Sequence, residues 1–226
     1  MFTRYAIYYT PAPGTPLAEF GANWLGWDSA TGTARAHPNV DGTDVEKITA
    51  TPHKYGFHGT IKPPFRLAEG MTAQGLADAV ATLCADAAPV TLEGLELARL
   101  GRFLALVPSG DASTLGILAA RAVQELDAFR AAPNEAELAK RRASRLSAAQ
   151  EEHLVRWGYP YVLDQFRFHL TLSGKLEADV IEPVQSALAA PVSALDLAPY
   201  GINGLTLLGE DDAGKFHQIH RYALTG

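Results

Sequence analysis

The sequence contains a single cysteine, Cys84, among 226 residues. One cysteine excludes an internal disulfide bond and a thiolate zinc cluster. Cys84 lies in an alanine-rich helical pattern, and we interpret it as a small core residue. Histidines and carboxylates also form no cluster at the spacing of metal ligands, so we expect neither a metal site nor a cofactor.

The sequence also lacks long apolar runs and an excess of positive charge. No stretch approaches the ~20 apolar residues that a membrane span needs, and the N-terminal residues lack signal-peptide architecture. We therefore expect a cytoplasmic protein without membrane contact. The formal net charge of -6 argues against long nucleic acids as partners, although a local basic pocket would still hold a small anion. The sequence does not indicate the oligomeric state.

Two short segments, Phe57–Ile61 and Phe168–Leu172, resemble each other. Each is a His-x-Thr motif among apolar residues, and positions i and i+2 of a strand point to the same face. The segment 165–173 alternates polar and apolar residues, which predicts a half-buried strand with a histidine on its polar face.

The elements around the two motifs also repeat. We expect a strand over 5–9, a helix from Thr15-Pro16 to Gly26, and a helix over 72–87 followed by a strand pair broken at 101–102. A helix over 177–189, a strand opening at Pro191-Val192 and a final hairpin around 210–215 repeat this order. Duplication is the simplest cause of the repeat.

This repeat predicts an α+β protein with a duplicated bilobal fold. We expect residues 1–226 to form a single bilobal domain, with lobe one at approximately 1–110, a helical insert at approximately 111–160 and lobe two at approximately 161–226. Within the insert, Asn134 with Glu137 and Ser147 with Gln150 have capping-box spacing.

Two further segments leave their roles open. Residues 28–52 are rich in Gly, Thr, Asp and Pro without periodicity, and so long an irregular segment is often functional. A lid over the site is one interpretation. The insert carries three nearby arginines, Arg141, Arg142 and Arg145, which form either a solvated helix face or a surface that faces a phosphate.

A pair of histidines suits phosphoester displacement. One neutral imidazole removes a proton from the attacking water or hydroxyl, and a protonated one donates to the departing alkoxide. The hydroxyls of Thr60 and Thr171 would bind the non-bridging oxygens, so no metal is required. We predict that His58 and His169 are catalytic, and the residues do not assign base and acid between them.

The paired motifs on a duplicated pattern resemble the 2H phosphoesterase superfamily. The segments 55–65 (YGFHGTIKPPF), 157–161 (WGYPY) and 166–172 (FRFHLTL) are similar to its branch linked to phosphonate metabolism, a family of unknown function. The resemblance covers nearly the whole chain. Its only departures are Gly59, where alanine is expected, and Ser173, where threonine is expected.

The resemblance implies two antiparallel sheets that face a central cleft, with helices outside. It also implies hydrolysis or transesterification of a phosphodiester. The branch implies a ribose-phosphate substrate from carbon–phosphorus bond breakdown, such as a 1,2-cyclic phosphate of ribose 5-phosphate.

Five other residues are candidates for the site. Lys62 and Arg167 share the strand parity of their histidines, which predicts either binding of a second phosphate or solvation at a strand edge. Tyr55, Tyr159 and Tyr161 either line a pocket that stacks on a sugar or base or pack loops.

The sequence therefore predicts a metal-independent phosphodiesterase that hydrolyses a small cyclic phosphate. Two alternatives stay open. One is an RNA-end or nucleotide cyclic phosphodiesterase, and the other is a non-catalytic module that binds a nucleotide or sugar phosphate.

Overall fold

The computed structural model describes residues 2–226, which form an α+β fold. Seven strands form a central antiparallel sheet in the order β11-β10-β1-β4-β8-β7-β6, and β2–β3 and β5–β9 form two small sheets. The strands are β1 Arg4–Tyr9, β2 Trp27–Asp28, β3 Thr33–Ala34, β4 Gly59–Phe65, β5 Val90–Leu92, β6 Gly94–Leu100, β7 Phe103–Ser109, β8 Leu170–Thr171, β9 Tyr200–Ile202, β10 Gly204–Glu210 and β11 Phe216–Ala223. The predicted α+β class is confirmed.

Seven α-helices pack around these strands. They are α1 Pro16–Leu25, α2 Val45–His53, α3 Ala73–Ala85, α4 Ser113–Glu125, α5 Glu135–Arg142, α6 Ala148–Trp157 and α7 Ala178–Ser193. The start of α1 is as predicted, because the Thr15 side chain accepts a hydrogen bond from the Ala18 N–H. Both predicted capping boxes are present, at Asn134 and at Ser147. No helix among residues 2–226 combines the length and apolar character needed to span a bilayer.

The two motif-bearing strands, β4 and β8, are neighbours in the middle of the central sheet. They pair at a single position, Gly59 opposite Leu170. The strands β11, β10, β1 and β4 therefore form one half of the sheet, and β8, β7 and β6 form the other. The two sheets expected from the sequence are joined at this one pair into a continuous sheet.

Two predicted elements are wrong. Part of the irregular segment 28–52 forms the helix α2. The Asp44 side chain caps this helix by accepting a hydrogen bond from the Lys47 N–H, and the buried residues of the helix follow helical spacing; they are Val45, Thr49 and Pro52. Pro191-Val192 does not open a strand but lies in the last turns of α7. The helical series of buried residues in α7 continues to Val192, and this periodicity outweighs the proline signal.

A β-bulge interrupts the pairing of β1 with β4. Tyr8 is opposite Thr60, but Ile7 is opposite Lys62, so Ile61 is the extra residue on β4. A bulge shifts the side-chain alternation of the strand that carries it. Lys62 therefore shares the face of Ile7, and Thr60 shares the opposite face with Tyr8.

The two faces of the sheet differ in their packing. The larger core includes Ile7 of β1 with apolar residues of α3, α4 and α7. A second, small cluster consists of Ala6, Tyr8, Leu208 and Phe216, with Tyr55 packed against it. The motif residues His58 and Thr60 therefore lie beside this second cluster, on the less heavily covered face.

Candidate active site

His58 and His169 have matching local environments. Each lies directly before its strand, and each Nδ1 lies 2.8 Å from the backbone oxygen two residues earlier, that of Gly56 for His58 and of Arg167 for His169. A carbonyl oxygen only accepts hydrogen bonds, so Nδ1 carries the hydrogen in both rings. In the neutral form of each ring, Nε2 therefore carries no hydrogen and can accept a proton.

The Gly59–Leu170 pair fixes how the two motifs face each other. In an antiparallel ladder, the residues that flank a pair are opposite each other and point to the other face. His58 is therefore opposite Thr171, and Thr60 is opposite His169. The four side chains share one face, with the histidines on one diagonal and the threonines on the other.

A cavity of about 220 Å³ opens on this face of the sheet. Its lining includes both threonines, one histidine and several aromatic, polar and cationic side chains. These residues are Arg4, Tyr8, Thr51, Pro52, Tyr55, His58, Thr60, Pro63, Pro64, Arg141, Tyr159, Thr171 and Ser173. The cavity is small compared with the roughly 300–1,000 Å³ of a drug-sized site, so it fits a small ligand.

The environment of His58 keeps its imidazole neutral. The pKa of His58 is lowered to about 4, chiefly by burial; the hydrogen bond to the Gly56 carbonyl opposes this shift, and the charge of the nearby His169 adds to it. The contribution of His169 is an electrostatic interaction between the two imidazoles. At neutral pH His58 is therefore an uncharged base, with Nε2 3.3 Å from the Thr60 hydroxyl.

Tyr8 is a site residue that the sequence analysis missed. Its ring stacks on His58, and it is almost fully buried. Tyr8 reaches the motif through the register of β1 with β4, in which it is opposite Thr60. Only the pairing of distant strands carries this information, so no local sequence signal marks Tyr8.

The predicted phosphate-binding position of Lys62 is wrong. The bulge at Ile61 turns this side chain to the opposite face, where Nζ donates to the Val123 carbonyl at 2.9 Å and lies 3.3 Å from the Asp127 carboxylate. Burial lowers the pKa of Lys62 to about 8, and Asp127 opposes that shift. The structure therefore assigns Lys62 to the packing of β4 against α4.

The other candidates divide into two groups. Tyr55 and Tyr159 line the cavity, whereas Tyr161 is 41% exposed and contacts Tyr159 edge to face. The Arg167 side chain is exposed, and its backbone carbonyl is what holds His169. Arg167 precedes the two-residue strand β8, so the predicted strand alternation does not extend to it. Phosphate binding by its guanidinium stays a prediction.

The helical insert contributes one arginine to the cavity. Of the three nearby arginines, Arg141 lines it, with its guanidinium 4.6 Å from the centre of the Tyr159 ring. Arg142 instead bonds Glu151, and Arg145 is exposed. Arg4, at the other end of the chain, is held by both carboxylate oxygens of Glu210. Arg141 therefore favours an anionic ligand, whereas the charge of Arg4 is paired with Glu210.

No group of three or more histidine, cysteine, aspartate or glutamate side chains in residues 2–226 has the arrangement of a metal site. His217 and His220, the two histidines of β11, have different partners. His217 donates a hydrogen bond from Nε2 to the Asp211 carboxylate at 2.7 Å, and His220 packs on Tyr222.

Comparison with known proteins assigns the chain to a family. A family model described as a protein of unknown function, DUF1045, matches residues 60–217. The chain belongs to this family. The match spans both the end of the first motif and the whole of the second.

Two longer relatives align with nearly the whole chain. Both are named ribose 1,5-bisphosphate phosphokinase PhnN. The protein from Janthinobacterium sp. (strain Marseille) is 39% identical over 235 residues, which cover 99% of this chain and 51% of that protein. The protein from Laribacter hongkongensis (strain HLHK9) is 36% identical over 228 residues, which cover 96% and 51%. The DUF1045 chain thus spans about half the length of these relatives.

Solved structures also align with the chain. A structure of E. coli LigT complexed with 3'-AMP covers 100% of both chains at 15% identity, with a TM-score of 0.44. A structure described as a phosphoesterase covers 99% of both chains at 15% identity, with a TM-score of 0.42.

Proposed function

We propose that this DUF1045 protein is a metal-independent phosphodiesterase that hydrolyses a small cyclic phosphate with two histidines. The observation that carries this proposal is the Gly59–Leu170 pair, which sets two His-x-Thr motifs side by side on one face. Diagonal neighbours across such a pair lie roughly 7–8 Å apart. That separation accommodates a phosphorus centre between the two imidazoles.

The low pKa of His58 supports a base role for this residue, which leaves the acid role to His169. His58 is neutral at pH 7, and its unprotonated Nε2 takes a proton from a water molecule as the water oxygen bonds to phosphorus. His169, in its protonated form, donates from Nε2 to the alkoxide oxygen as the phosphorus–oxygen bond of the ring breaks. The product is a phosphomonoester with a free neighbouring hydroxyl.

The threonines supply donors to the charge that develops on phosphorus. Thr60 and Thr171 occupy the second diagonal, beside the position of the non-bridging oxygens. In the structure the Thr60 hydroxyl lies 3.3 Å from Nε2 of His58, and rotation about its Cα–Cβ bond would turn it to a phosphoryl oxygen. Such donors act most strongly on the transition state.

The size of the cavity supports a small substrate. About 220 Å³ accommodates a sugar phosphate better than an oligonucleotide. The net charge of -6 also disfavours long nucleic acids. We propose a ribose cyclic phosphate from phosphonate catabolism as the substrate and the cytoplasm as the compartment.

The two longer relatives are named as kinases, but this chain lacks the phosphate-binding loop of P-loop kinases. Residues 209–215 have the glycine and Gly-Lys spacing of a phosphate-binding P-loop, but Phe216 stands where that motif has serine or threonine. The segment turns between β10 and β11, whereas a P-loop joins a strand to a helix. We therefore propose that the phosphodiesterase activity is separate from the named kinase activity.

The test is a turnover screen of purified protein against cyclic phosphates of ribose, of ribose 5-phosphate and of the four nucleosides, with released monoester measured. His58→Ala protein is the matched control for contaminating activity. We expect hydrolysis of at least one sugar cyclic phosphate that the control does not support. Preference for RNA ends would favour the RNA-end enzyme, and binding without turnover would favour the binding module.

A further inference from the structure

A second cavity of about 110 Å³ adjoins the one between the motifs. The two cavities share three lining residues, Arg4, Pro64 and Arg141, so they lie side by side, and we call them together the groove. The second cavity lies between the end of β4 and the helices α5 and α6. Its further cationic lining residues are Arg66, Arg130 and Lys140.

Most of these cations already have an acidic partner. Arg66 bonds Glu137 at 3.0 Å, Arg130 bonds Asp127 at 2.8 Å, and Arg4 is paired with Glu210. Each pair contributes little net charge to the groove. Within residues 2–226, the side chains of Lys140 and Arg141 make no hydrogen bond or ion pair. These two cations therefore supply the uncompensated charge.

Arg141 and Arg4 both line the two cavities, but only Arg4 is paired with a carboxylate. The guanidinium of Arg141 lies 4.6 Å from the centre of the Tyr159 ring, and a cation held over an aromatic face has a restricted orientation. The planar group then offers its N–H donors to the groove in the geometry that suits a phosphate. Arg141 therefore lies at the junction of the two cavities.

We propose that Arg141, assisted by Lys140, binds a second phosphate group of the same small substrate. This inference rests on the proposed function, which places the cyclic phosphate of the substrate between the two histidines. The substrate class is then a cyclic phosphate that carries a terminal phosphomonoester. The scissile group lies between the histidines, and the terminal group lies in the cavity beside α5. The helical insert thus selects the substrate.

A purely structural role for Arg141 makes a different prediction. Lys140, Arg141 and Arg142 lie in the last turn of α5, where cations stabilise the helix through its dipole. A stabilising role of this kind would change thermal stability without regard to the substrate. A binding role would change discrimination between substrates.

The experiment compares matched substrates and matched variants. The substrates are adenosine 2′,3′-cyclic phosphate and its 5′-phosphorylated form, and ribose 1,2-cyclic phosphate with and without a 5-phosphate. Arg141→Gln should lower kcat/KM for the phosphorylated member of a pair about 10- to 100-fold more than for its partner. Arg141→Lys should restore part of this loss. Equal losses on both members would overturn the proposal.

Arg145→Asn is the control for removing one positive charge. Arg145 is exposed and has a positive φ of 52°, a conformation that asparagine also adopts. We expect Arg145→Asn to discriminate between the paired substrates as the wild type does. A loss of discrimination equal to that of Arg141→Gln would mean that overall charge, and not the groove, is responsible.

A binding measurement separates this proposal from the catalytic one. Adenosine 3′,5′-bisphosphate and adenosine 3′-phosphate are titrated into wild-type and Arg141→Gln protein by calorimetry. We expect the bisphosphate to bind the wild type at least 10-fold more tightly, and Arg141→Gln to remove this advantage. This result supports the second-phosphate site even if no cyclic phosphate is hydrolysed. Equal affinity of both ligands for the wild type would overturn it.

Discussion

The ring of Tyr8 lies nearly parallel to the imidazole of His58, with ring centroids 3.8 Å apart and planes inclined by 16°. Tyr8 belongs to β1 and is 1% exposed, so its position is fixed by the sheet. The Nδ1–Gly56 hydrogen bond fixes the same imidazole from its edge. His58 is therefore held both in its plane and against its face before any ligand binds.

This stack leads to the first prediction. Tyr8→Phe keeps the aromatic face and should retain kcat within a few-fold of wild type. Tyr8→Leu removes the stack, and we expect kcat to fall about 10-fold or more because the imidazole becomes free to rotate away from the phosphate. Steady-state kinetics of both variants, with melting curves to compare folding, check this. Equal activity in both variants would contradict a positioning role.

The second prediction concerns the histidine pair. His58→Ala and His169→Ala should each lower kcat by about 10²–10⁴, because each removes one proton transfer. The double variant should lose less than the product of the two, since the two imidazoles act in one step. His220→Ala, which removes an exposed histidine of β11, is the control and should retain activity. Near-normal turnover of either single variant would reject the assignment.

The third prediction concerns the hydroxyls. Thr60→Val and Thr171→Val preserve the shape and strand propensity of the side chain while deleting the donor. Each should lower kcat by about 10²–10³ with little change in KM, because such a donor acts mainly on the transition state. Wild-type turnover in both variants would mean that the two motifs do not converge on one phosphate.

The fourth prediction follows from the low pKa of His58. Below about pH 4 this imidazole is protonated and cannot act as a base, so kcat/KM should fall as the pH drops through about 4. A neutral base and a protonated acid together give a bell-shaped profile whose limbs belong to the interacting pair. Replacement of either histidine by glutamine should flatten one limb. A rate that rises steadily with pH would reject a protonated acid.

The same shift affects stability with a defined sign. An unfolded histidine has a pKa of 6.5, so between pH 6.5 and about 4 the unfolded chain binds more protons at His58 than the folded protein does. The free energy of unfolding should therefore decrease as the pH falls across this range, by about 3 kcal/mol from this residue. Denaturant titrations of wild type and His58→Gln at several pH values measure the difference, which should vanish if burial does not shift the pKa.

The fifth prediction concerns metals. Two-histidine catalysis uses no Lewis acid, so activity should survive dialysis against a strong chelator. Residual metal in the dialysed protein is measured by mass spectrometry, so that the result does not depend on incomplete removal. Loss of turnover with recovery upon addition of zinc or manganese would reject the mechanism.

Local sequence signals predicted much of this fold. The apolar alternation and caps of β1, α1, α3 and α5 act over a few residues, and the hairpin near Asp211 follows from its turn residues. The second motif strand was predicted too long, because the regular strand covers only Leu170 and Thr171, after which the Leu172 and Ser173 N–H groups both donate to the Leu104 carbonyl. Pairing partners, and not residue alternation, determine where a strand ends.

The site could be predicted only in part. The two His-x-Thr motifs are visible in the sequence, so His58, Thr60, His169 and Thr171 were predicted as site residues, and the structure places them on one face of the sheet. The bulge at Ile61 has no sequence signature and reverses the face of Lys62. Tyr8 and Arg141 reach the cavity through strand register and helix packing, which depend on residues far away in the chain.

The two halves of the sheet are joined by the single Gly59–Leu170 pair, and the candidate active site lies at this junction. In the proposed mechanism, a bound phosphate accepts hydrogen bonds from Thr60 on one half and from Thr171 on the other, and so it links the two halves. The substrate would then add hydrogen bonds between two strands that pair at only one backbone position. The two halves of the sheet would then be held together more firmly with the substrate bound than after the product has left.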